Sequence, residues 1–197
     1  MKKFSLLLLS LLLVLAMAAC NSNDDDSSTD TASNDDNTKT EEKAEATEPS
    51  EEDTCAFCQM EIYAKDEEMG QSTAQALTED GDYLFFCDSG CLLNAPRQSG
   101  ETYEETWVRD YYTLDWIEAD DAIIVHSDIA TPMKYGYAFF SSQADADTFM
   151  SDQADLNPGV VTWDDVDTVA NERYQKKMEM QEQQNSSDES TTENSES

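Results

Sequence analysis

The sequence predicts an α+β fold in which two small ββαβ units share one core after a disordered linker. The main observation is a weak repeat. The aromatic strands Tyr83–Phe86 and Tyr137–Phe140 lie fifty-four residues apart, and each is followed by a short helix. Each half also has an earlier strand, at 72–77 and 123–127, and a closing strand, at 107–110 and 160–163. The caps Asp88-Ser89 and Ser142 to Asp145, the latter a capping box, mark where the two helices begin.

The N-terminal segment is predicted to be a signal peptide over residues 1–19. Lys2 and Lys3 precede a mostly apolar run at 4–14, which is too short to span a bilayer comfortably. The run leads to Met17-Ala18-Ala19-Cys20, which resembles a bacterial lipobox. We therefore expect Cys20 to carry lipid and to anchor the protein outside the cytoplasmic membrane. The alternative is an ordinary secretory peptide with an incidental cysteine.

Polar segments are predicted to flank the core. Residues 20–53 form an acidic linker without aromatic residues, so the segment cannot bury enough apolar area to offset the entropy of ordering. The ordered core is expected at 54–180 and ends in a helix at 164–180, where Val166, Val169, Ala170 and Tyr174 recur at near-helical spacing. Residues 181–197 are predicted to be a disordered tail.

The charge of the chain excludes some classes of function. There are 44 acidic residues against 11 Lys plus Arg, for a net charge of -33. A protein that binds nucleic acid by neutralising phosphates needs a basic surface, which this composition does not supply. The only histidine is His126, so His-rich zinc sites and multi-histidine hydrolytic centres are excluded. Five Cys and eight Met remain, and any transition-metal chemistry is therefore expected to use sulfur.

The candidate metal ligands begin with Cys55, Cys58 and Met60. If the chain is extended here, Cys58 and Met60 project to one face and offer a thiolate and a thioether. This soft pair favours Cu(I), and the thioether makes zinc less favourable. Cys87 and Cys91 follow at a strand-to-helix turn, where Cys91 falls one turn into the helix and could face the same point as Cys87.

Three other interpretations of the four core cysteines stay open. They could form two disulfides, because the expected compartment permits them. They could bind a structural zinc ion through four thiolates, with spacings C-x2-C and C-x3-C. Cys55 and Cys58 could be a redox pair, although no strand-to-helix context precedes them. None of the three explains Met60.

The core resembles the NosL family of nitrous oxide reductase accessory lipoproteins. The likeness covers about 54–166. It is carried by Cys58-Gln59-Met60, by Asp88-Ser89-Gly90-Cys91, by the stretch from Trp107 to Ile117 (sequence WVRDYYTLDWI), by Asp121-Ala122, by Thr131-Pro132-Met133, and by Ala138-Phe139-Phe140-Ser141-Ser142. In two places, Gln59 and Lys134, this chain departs from a glycine that is usual in the family. The resemblance also implies paired ββαβ units similar to part of organomercurial lyase.

The resemblance implies a Cu(I) chaperone that delivers copper for the multicopper site of nitrous oxide reductase, without catalysis. Cys58 is then the thiolate ligand, with Met60 and Met133 as thioether candidates and Cys55 as an auxiliary donor. Cys87 and Cys91 rank lower. The expected partners are nitrous oxide reductase with its maturation proteins and, through Cys20, the lipid membrane.

Three alternatives of other kinds remain. Residues 55–92 also look like short heavy-metal modules of the YHS and TRASH type, which leave the downstream half unexplained. An enzyme of organomercurial-lyase type would use paired cysteines to cleave a carbon–metal bond. A surface lipoprotein would use the cysteines for disulfides or a structural zinc ion.

Overall fold

The computed structural model describes residues 43–193, with side chains as far as residue 186. The predicted signal peptide, the lipidation site Cys20, the linker up to residue 42 and residues 194–197 lie outside the described part of the chain. Within 43–193, no helix combines the length and the apolar character needed to cross a bilayer.

The first ββαβ unit contains strands β1 (Ala74–Thr78), β2 (Tyr83–Phe86) and β3 (Tyr103–Arg109), with helix α1 (Ser89–Ser99) between β2 and β3. A further short strand, β4 (Trp116–Glu118), joins the same antiparallel sheet, in the order β2-β1-β3-β4. Helix α1 ends at Gly100, whose φ of 80° is a left-handed conformation that glycine adopts without steric cost.

The second unit repeats this topology. It contains β5 (Ile123–His126), β6 (Tyr137–Phe140), helix α2 (Gln143–Asp152) and β7 (Gly159–Val161), in an antiparallel sheet of order β6-β5-β7. In both units the first strand lies in the centre, between the second strand and the strand that follows the helix. The predicted α+β fold and its two ββαβ units are therefore confirmed.

Helix α3 (Trp163–Glu193) packs against α1 through the buried Val166 and Ala170. It starts one residue before the predicted helix and continues beyond its predicted end at residue 180. The structure thus differs from the predicted disordered tail at 181–193. After Gly159 the sequence has neither glycine nor proline, and its run of Gln, Glu, Lys and Met contains good helix formers.

The core begins earlier than the predicted boundary at residue 54. Residues 43–49 lie across the outer face of the first sheet, opposite the face that packs on α1. Gln75 is fully buried in β1, and its side-chain amide exchanges two hydrogen bonds of 2.8 Å with the backbone of Thr47. The Tyr83 hydroxyl donates to the Glu45 carbonyl at 2.8 Å, and Arg109 pairs with Glu48. A polar segment covers this face because the face itself carries polar groups that need partners.

The end of β3 and the residue after it, Arg109 and Asp110, lie where the two units meet, and Asp110 makes the contacts to the second unit. The buried Arg109 guanidinium lies 3.9 Å from the centre of the Trp116 ring and donates to the Leu114 carbonyl at 2.8 Å. Asp110 forms a parallel bridge with Phe139 of β6 and accepts two hydrogen bonds of 2.8 Å from Ser141. The most distinctive sequence stretch of the core therefore joins the two sheets, and none of its residues is a soft metal ligand.

Candidate metal centre

Residues 55–60 form a tight turn at the edge of the first unit. The Gln59 N–H donates to the Cys55 carbonyl at 2.9 Å, and the Cys55 N–H donates to the Met60 carbonyl at 2.8 Å. Gln59 has a φ of 61°, so the chain reverses there. The Ala56 N–H binds the Phe85 carbonyl at 2.9 Å and docks the turn beside the end of β2.

This turn overturns the assumption that placed Met60 beside Cys58. Two residues project to the same face only in an extended chain, and the left-handed Gln59 lies between these two. Met60 is 42% exposed and lies outside the set of residues that pack on the main core, whereas Cys58 belongs to that set. The same-face argument for Met60 as a ligand is therefore lost.

Cys87 and Cys91 lie where β2 passes into α1. Cys87 directly follows the last residue of the strand, and Cys91 is in the first turn of the helix. Their Sγ atoms are 3.8 Å apart. The prediction that these two thiols face the same point is confirmed.

All four core cysteines converge, and we call Cys55, Cys58, Cys87 and Cys91 the thiol cluster. Their Sγ atoms all lie within 4.8 Å of one another, with 3.5 Å between Cys58 and Cys87 and 3.9 Å between Cys58 and Cys91. All four are free thiols. Four sulfur ligands at about 2.3 Å from one ion in tetrahedral geometry lie about 3.8 Å from each other. The cluster thus has nearly the dimensions of a four-thiolate metal site.

The thiols are unequal in exposure and in acidity. Cys55, Cys87 and Cys91 are buried, and Cys58 alone is partly exposed. Hydrogen bonds from Cys87 and Cys91 hold the pKa of Cys55 far below its usual value. Hydrogen bonding to Cys55, together with burial, raises the pKa of Cys87 and of Cys91. The cluster therefore favours the anionic form at Cys55 and the protonated form at Cys87 and Cys91, so a bound cation would compete with protons there.

A buried carboxylate connects the thiol cluster to the loop before β6. Asp88 is the N-cap residue of α1, as predicted, but its side chain does not cap the helix. Its Oδ2 accepts hydrogen bonds from the Thr131 hydroxyl at 2.7 Å and from the Met133 N–H at 3.0 Å. Burial raises the pKa of Asp88, and these hydrogen bonds offset only part of that rise. The half-buried Met133 is thus tied to the residue that lies next to Cys87 in the chain.

The same loop is fixed from its other side by α3. Arg173 donates to the carbonyls of Met133 and Lys134, both at 3.0 Å, and lies 4.2 Å from the centre of the Tyr135 ring. That ring occupies the space beside Gly90, where an added Cβ would come within 2.0 Å of it. Lys134 has a φ of 58°. Both positions where the resemblance expects glycine, Gln59 and Lys134, are therefore left-handed in this chain.

A model of the NosL family matches residues 46–170, which is more than half of the chain. The chain therefore belongs to the NosL family. The match starts inside the segment that covers the first sheet, in agreement with a core that begins before residue 54. A solved structure, the copper chaperone NosL from Shewanella denitrificans, is 18% identical and covers 62% of this chain and 93% of its own, with a TM-score of 0.47. No curated protein matches the chain.

The structure thus brings together Cys55, Cys58, Cys87 and Cys91. The backbone of Met133 is tied to Asp88, next to Cys87 in the chain, and Met60 is 42% exposed. Sequence reasoning on this NosL-family chain missed Asp88 and Arg173. The sequence did contain one indication for Asp88: it lies between the predicted ligands Cys87 and Cys91, where an acidic residue can have a role besides capping the helix. Arg173 gave none, because only the packing of α3 brings it to the loop.

Proposed function

We propose that this protein binds Cu(I) at the thiol cluster and passes it to a partner without catalysis. The observation that carries the proposal is the convergence of four sulfur atoms within 4.8 Å, drawn from two segments of the chain. Thiolate is a soft ligand and favours Cu(I) over hard cations such as Mg²⁺ or Ca²⁺. Membership of the NosL family supports copper as the cargo.

The exposure of the site supports exchange rather than permanent storage. Three thiols are buried and Cys58 reaches the surface, next to the half-buried Phe57 in the same turn. An incoming thiolate or imidazole can therefore approach a bound ion from the side of Cys58. Asp88, which follows Cys87 in the chain, holds the backbone of the Met133 loop. Met133 is therefore the candidate for a neutral thioether that joins or leaves the ion during exchange.

A structural zinc ion is the second candidate, and one observation favours it. The separations of 3.5, 3.8 and 3.9 Å between sulfur atoms are close to those of a closed tetrahedral site. In that case all four thiolates would contribute about equally, and the ion would stabilise the fold instead of leaving it.

Anaerobic metal titration separates the two candidates. The reduced protein is titrated with Cu(I) against a competing chelator, and separately with Zn²⁺, with metal analysis of the purified product. For a carrier we expect tight Cu(I) binding, complete removal of copper by excess chelator, and a folded metal-free protein by circular dichroism. A protein that retains one zinc through chelation and unfolds when zinc is stripped would contradict the carrier proposal.

We also propose that the protein is anchored outside the cytoplasmic membrane by lipid on Cys20 and serves the assembly of the nitrous oxide reductase copper site. The lipobox-like sequence and the family support this. Cys20→Ala should release the protein from the membrane fraction or leave an uncleaved precursor. Loss of the gene should lower the copper content of nitrous oxide reductase. Normal lipid labelling of the variant, or normal copper content, would refute the respective part.

A further inference from the structure

The positive charges of the described residues divide into two groups. Lys43, Lys65, Arg97 and Arg109 form ion pairs with Glu118, Asp115, Asp167 and Glu48, respectively. The other four cations in 43–193 are Lys134, Arg173, Lys176 and Lys177, and none of them forms an ion pair with a carboxylate there. In a chain of net charge -33, four cations left without a carboxylate partner are unexpected.

Three of these cations lie against the segments that build the metal centre. Lys134 directly follows Met133. Arg173 donates to the carbonyls of Met133 and Lys134. Lys177 places its Nζ 4.7 Å from the centre of the Phe57 ring, and Phe57 lies between Cys55 and Cys58. We call Lys134, Arg173 and Lys177 the cationic rim.

Two of the three rim cations lie on one helix, outside the part of the chain that matches the family, whereas Lys134 lies within that part. Arg173 and Lys177 are on α3 beyond residue 170, where the family match ends. The helix also carries Glu172 and Glu179 on either side of these cations, so its charge is mixed. Tyr174 and Lys177 nevertheless approach Phe57, with 6.1 Å between the Tyr174 and Phe57 ring centres, and thus fix this part of α3 beside the cysteine turn.

We infer that the cationic rim is a docking surface for a copper partner whose own soft ligands are surrounded by carboxylates. This rests on the proposed Cu(I) transfer and adds the chemistry of the partner. Such a partner is repelled by the acidic remainder of the surface and attracted only where copper is held. Fields of surface charges decay over about 8–10 Å at ordinary salt, so the local rim outweighs the distant net charge at contact.

The alternative partner, one with a basic face, is disfavoured by the same charges. It would be attracted to nearly every part of this surface except the rim and would not be oriented toward the thiol cluster. Specificity needs repulsion from wrong orientations as well as attraction to the right one. For an acidic partner, this distribution of charge supplies the repulsion from wrong orientations and the attraction to the rim.

Two synthetic acceptor peptides test the inference. Both carry the same Cys-x-x-Cys pair, one flanked by glutamates and the other by lysines. The Cu(I)-loaded protein is mixed with each under anaerobic conditions, and its copper content is followed over time after rapid separation. We expect at least threefold faster transfer to the glutamate peptide, with the preference fading at high salt.

A matched pair of variants locates the effect. Lys134→Glu/Lys177→Glu and Lys43→Glu/Lys65→Glu change the net charge equally, but only the first alters the rim. The first should lose or reverse the preference for the glutamate peptide, and the second should keep it. Lys134→Gln/Lys177→Gln should lie between the wild type and the first variant. Equilibrium Cu(I) affinity, measured with a chelator, checks that each site is intact.

The outcomes separate the two proposals. If the wild-type protein binds no Cu(I), the proposed function fails and the docking inference fails with it. If copper binds but both peptides receive it at the same rate, or the lysine peptide receives it faster, only the docking inference is overturned. An equal loss of preference in the Lys43/Lys65 variant would also overturn it, because net charge would then be the cause.

Discussion

The two ββαβ units have the same topology but use their strand-to-helix turns differently. Asp88 and Ser142 are equivalent N-cap residues, fifty-four positions apart. Ser142 caps its own helix, since its hydroxyl accepts from the Asp145 N–H at 3.2 Å. Asp88 leaves its helix without a side-chain cap and instead holds Thr131 and Met133. The first unit gives up a local stabilising bond and gains a link between its cysteines and the second unit.

The residues around these two N-caps show the same difference in role, structural in the second unit and thiol-bearing in the first. Cys87 corresponds to Ser141, which binds Asp110 and joins the sheets, and Cys91 corresponds to Asp145 of the capping box. The side chains of Ser141, Ser142 and Asp145 in the second turn thus all have structural partners. In the first turn these positions carry thiols that meet one another and Cys58. The comparison supports a division of roles, in which the turn of one unit maintains the fold and the turn of the other carries the proposed metal centre.

Removal of a thiol should have the largest effect. Cys58→Ser and Cys87→Ser should each weaken Cu(I) binding by roughly tens-fold or more, because a hydroxyl is a hard and poor donor to Cu(I). Chelator competition measures the affinity. Ser141→Ala, at the position equivalent to Cys87, is the matched control and should leave the affinity unchanged. Equal affinity in the wild type and both cysteine variants would remove the thiol cluster as the copper site.

The two sheets also differ in what covers them, which allows a second test. The polar segment 43–49 covers one face of the first sheet, whereas Ile124 and Phe139 of the second sheet are buried in the main apolar core. Glu48→Ala should leave the buried Arg109 guanidinium without its carboxylate and lower the free energy of unfolding by about 2 kcal/mol. Urea denaturation measures this, with the exposed Glu52→Ala as a control. A change below about 0.3 kcal/mol would contradict a structural role for this segment.

Met133 is the one candidate ligand that the second half of the chain contributes. Met133→Ala should lower Cu(I) affinity by roughly tenfold, and by the same factor at mildly acidic and mildly alkaline pH, because a thioether has no proton to lose. Wild-type affinity should itself rise with pH. The pKa values of Cys87 and Cys91 are raised, so protons compete with the metal until the pH is high. Wild-type affinity in the variant would refute the ligand role.

The two N-cap residues give a smaller and more specific effect. Asp88→Ala should lower Cu(I) affinity by about threefold to fivefold, and this loss should vanish in a Met133→Ala background if Asp88 acts by positioning Met133. Ser142→Ala should instead cost about 1 kcal/mol of stability and leave affinity unchanged. Additive losses in the Asp88/Met133 double variant would show that Asp88 does not act through Met133.

The smallest effect is expected at the left-handed residues. Gln59→Gly should raise the free energy of unfolding by about 0.5 kcal/mol, since relief of the left-handed strain exceeds the added entropy of glycine in the unfolded chain. The gain is limited because the Gln59 side chain donates to the Cys55 carbonyl at 3.1 Å. Thermal unfolding of the metal-free protein measures it. A loss of stability would show that this hydrogen bond outweighs the strain.

The sequence by itself determined the six strands and two helices of the repeat and their order, but neither β4 nor the continuation of α3 beyond residue 180. Their aromatic runs and the Ser142 capping box act over a few residues, so local pattern is sufficient. It also indicated that Cys87 and Cys91 could face one point, because Cys91 lies in the first turn of a helix that begins just after Cys87. The assumption of an extended chain between Cys58 and Met60 was wrong, because the left-handed Gln59 reverses the chain there.

Only the tertiary structure decided which segments meet. The packing of the turn at 55–60 against β2 brings two distant cysteine pairs together, and nothing in either pair encodes the other's position. The polar segment at 43–49 looks disordered by composition, yet the buried Gln75 and Arg109 need it as a partner. Asp88 reads as an ordinary helix cap until the loop of Met133 reaches it. Contacts between residues far apart in the chain depend on the whole packed core, so no local pattern can specify them.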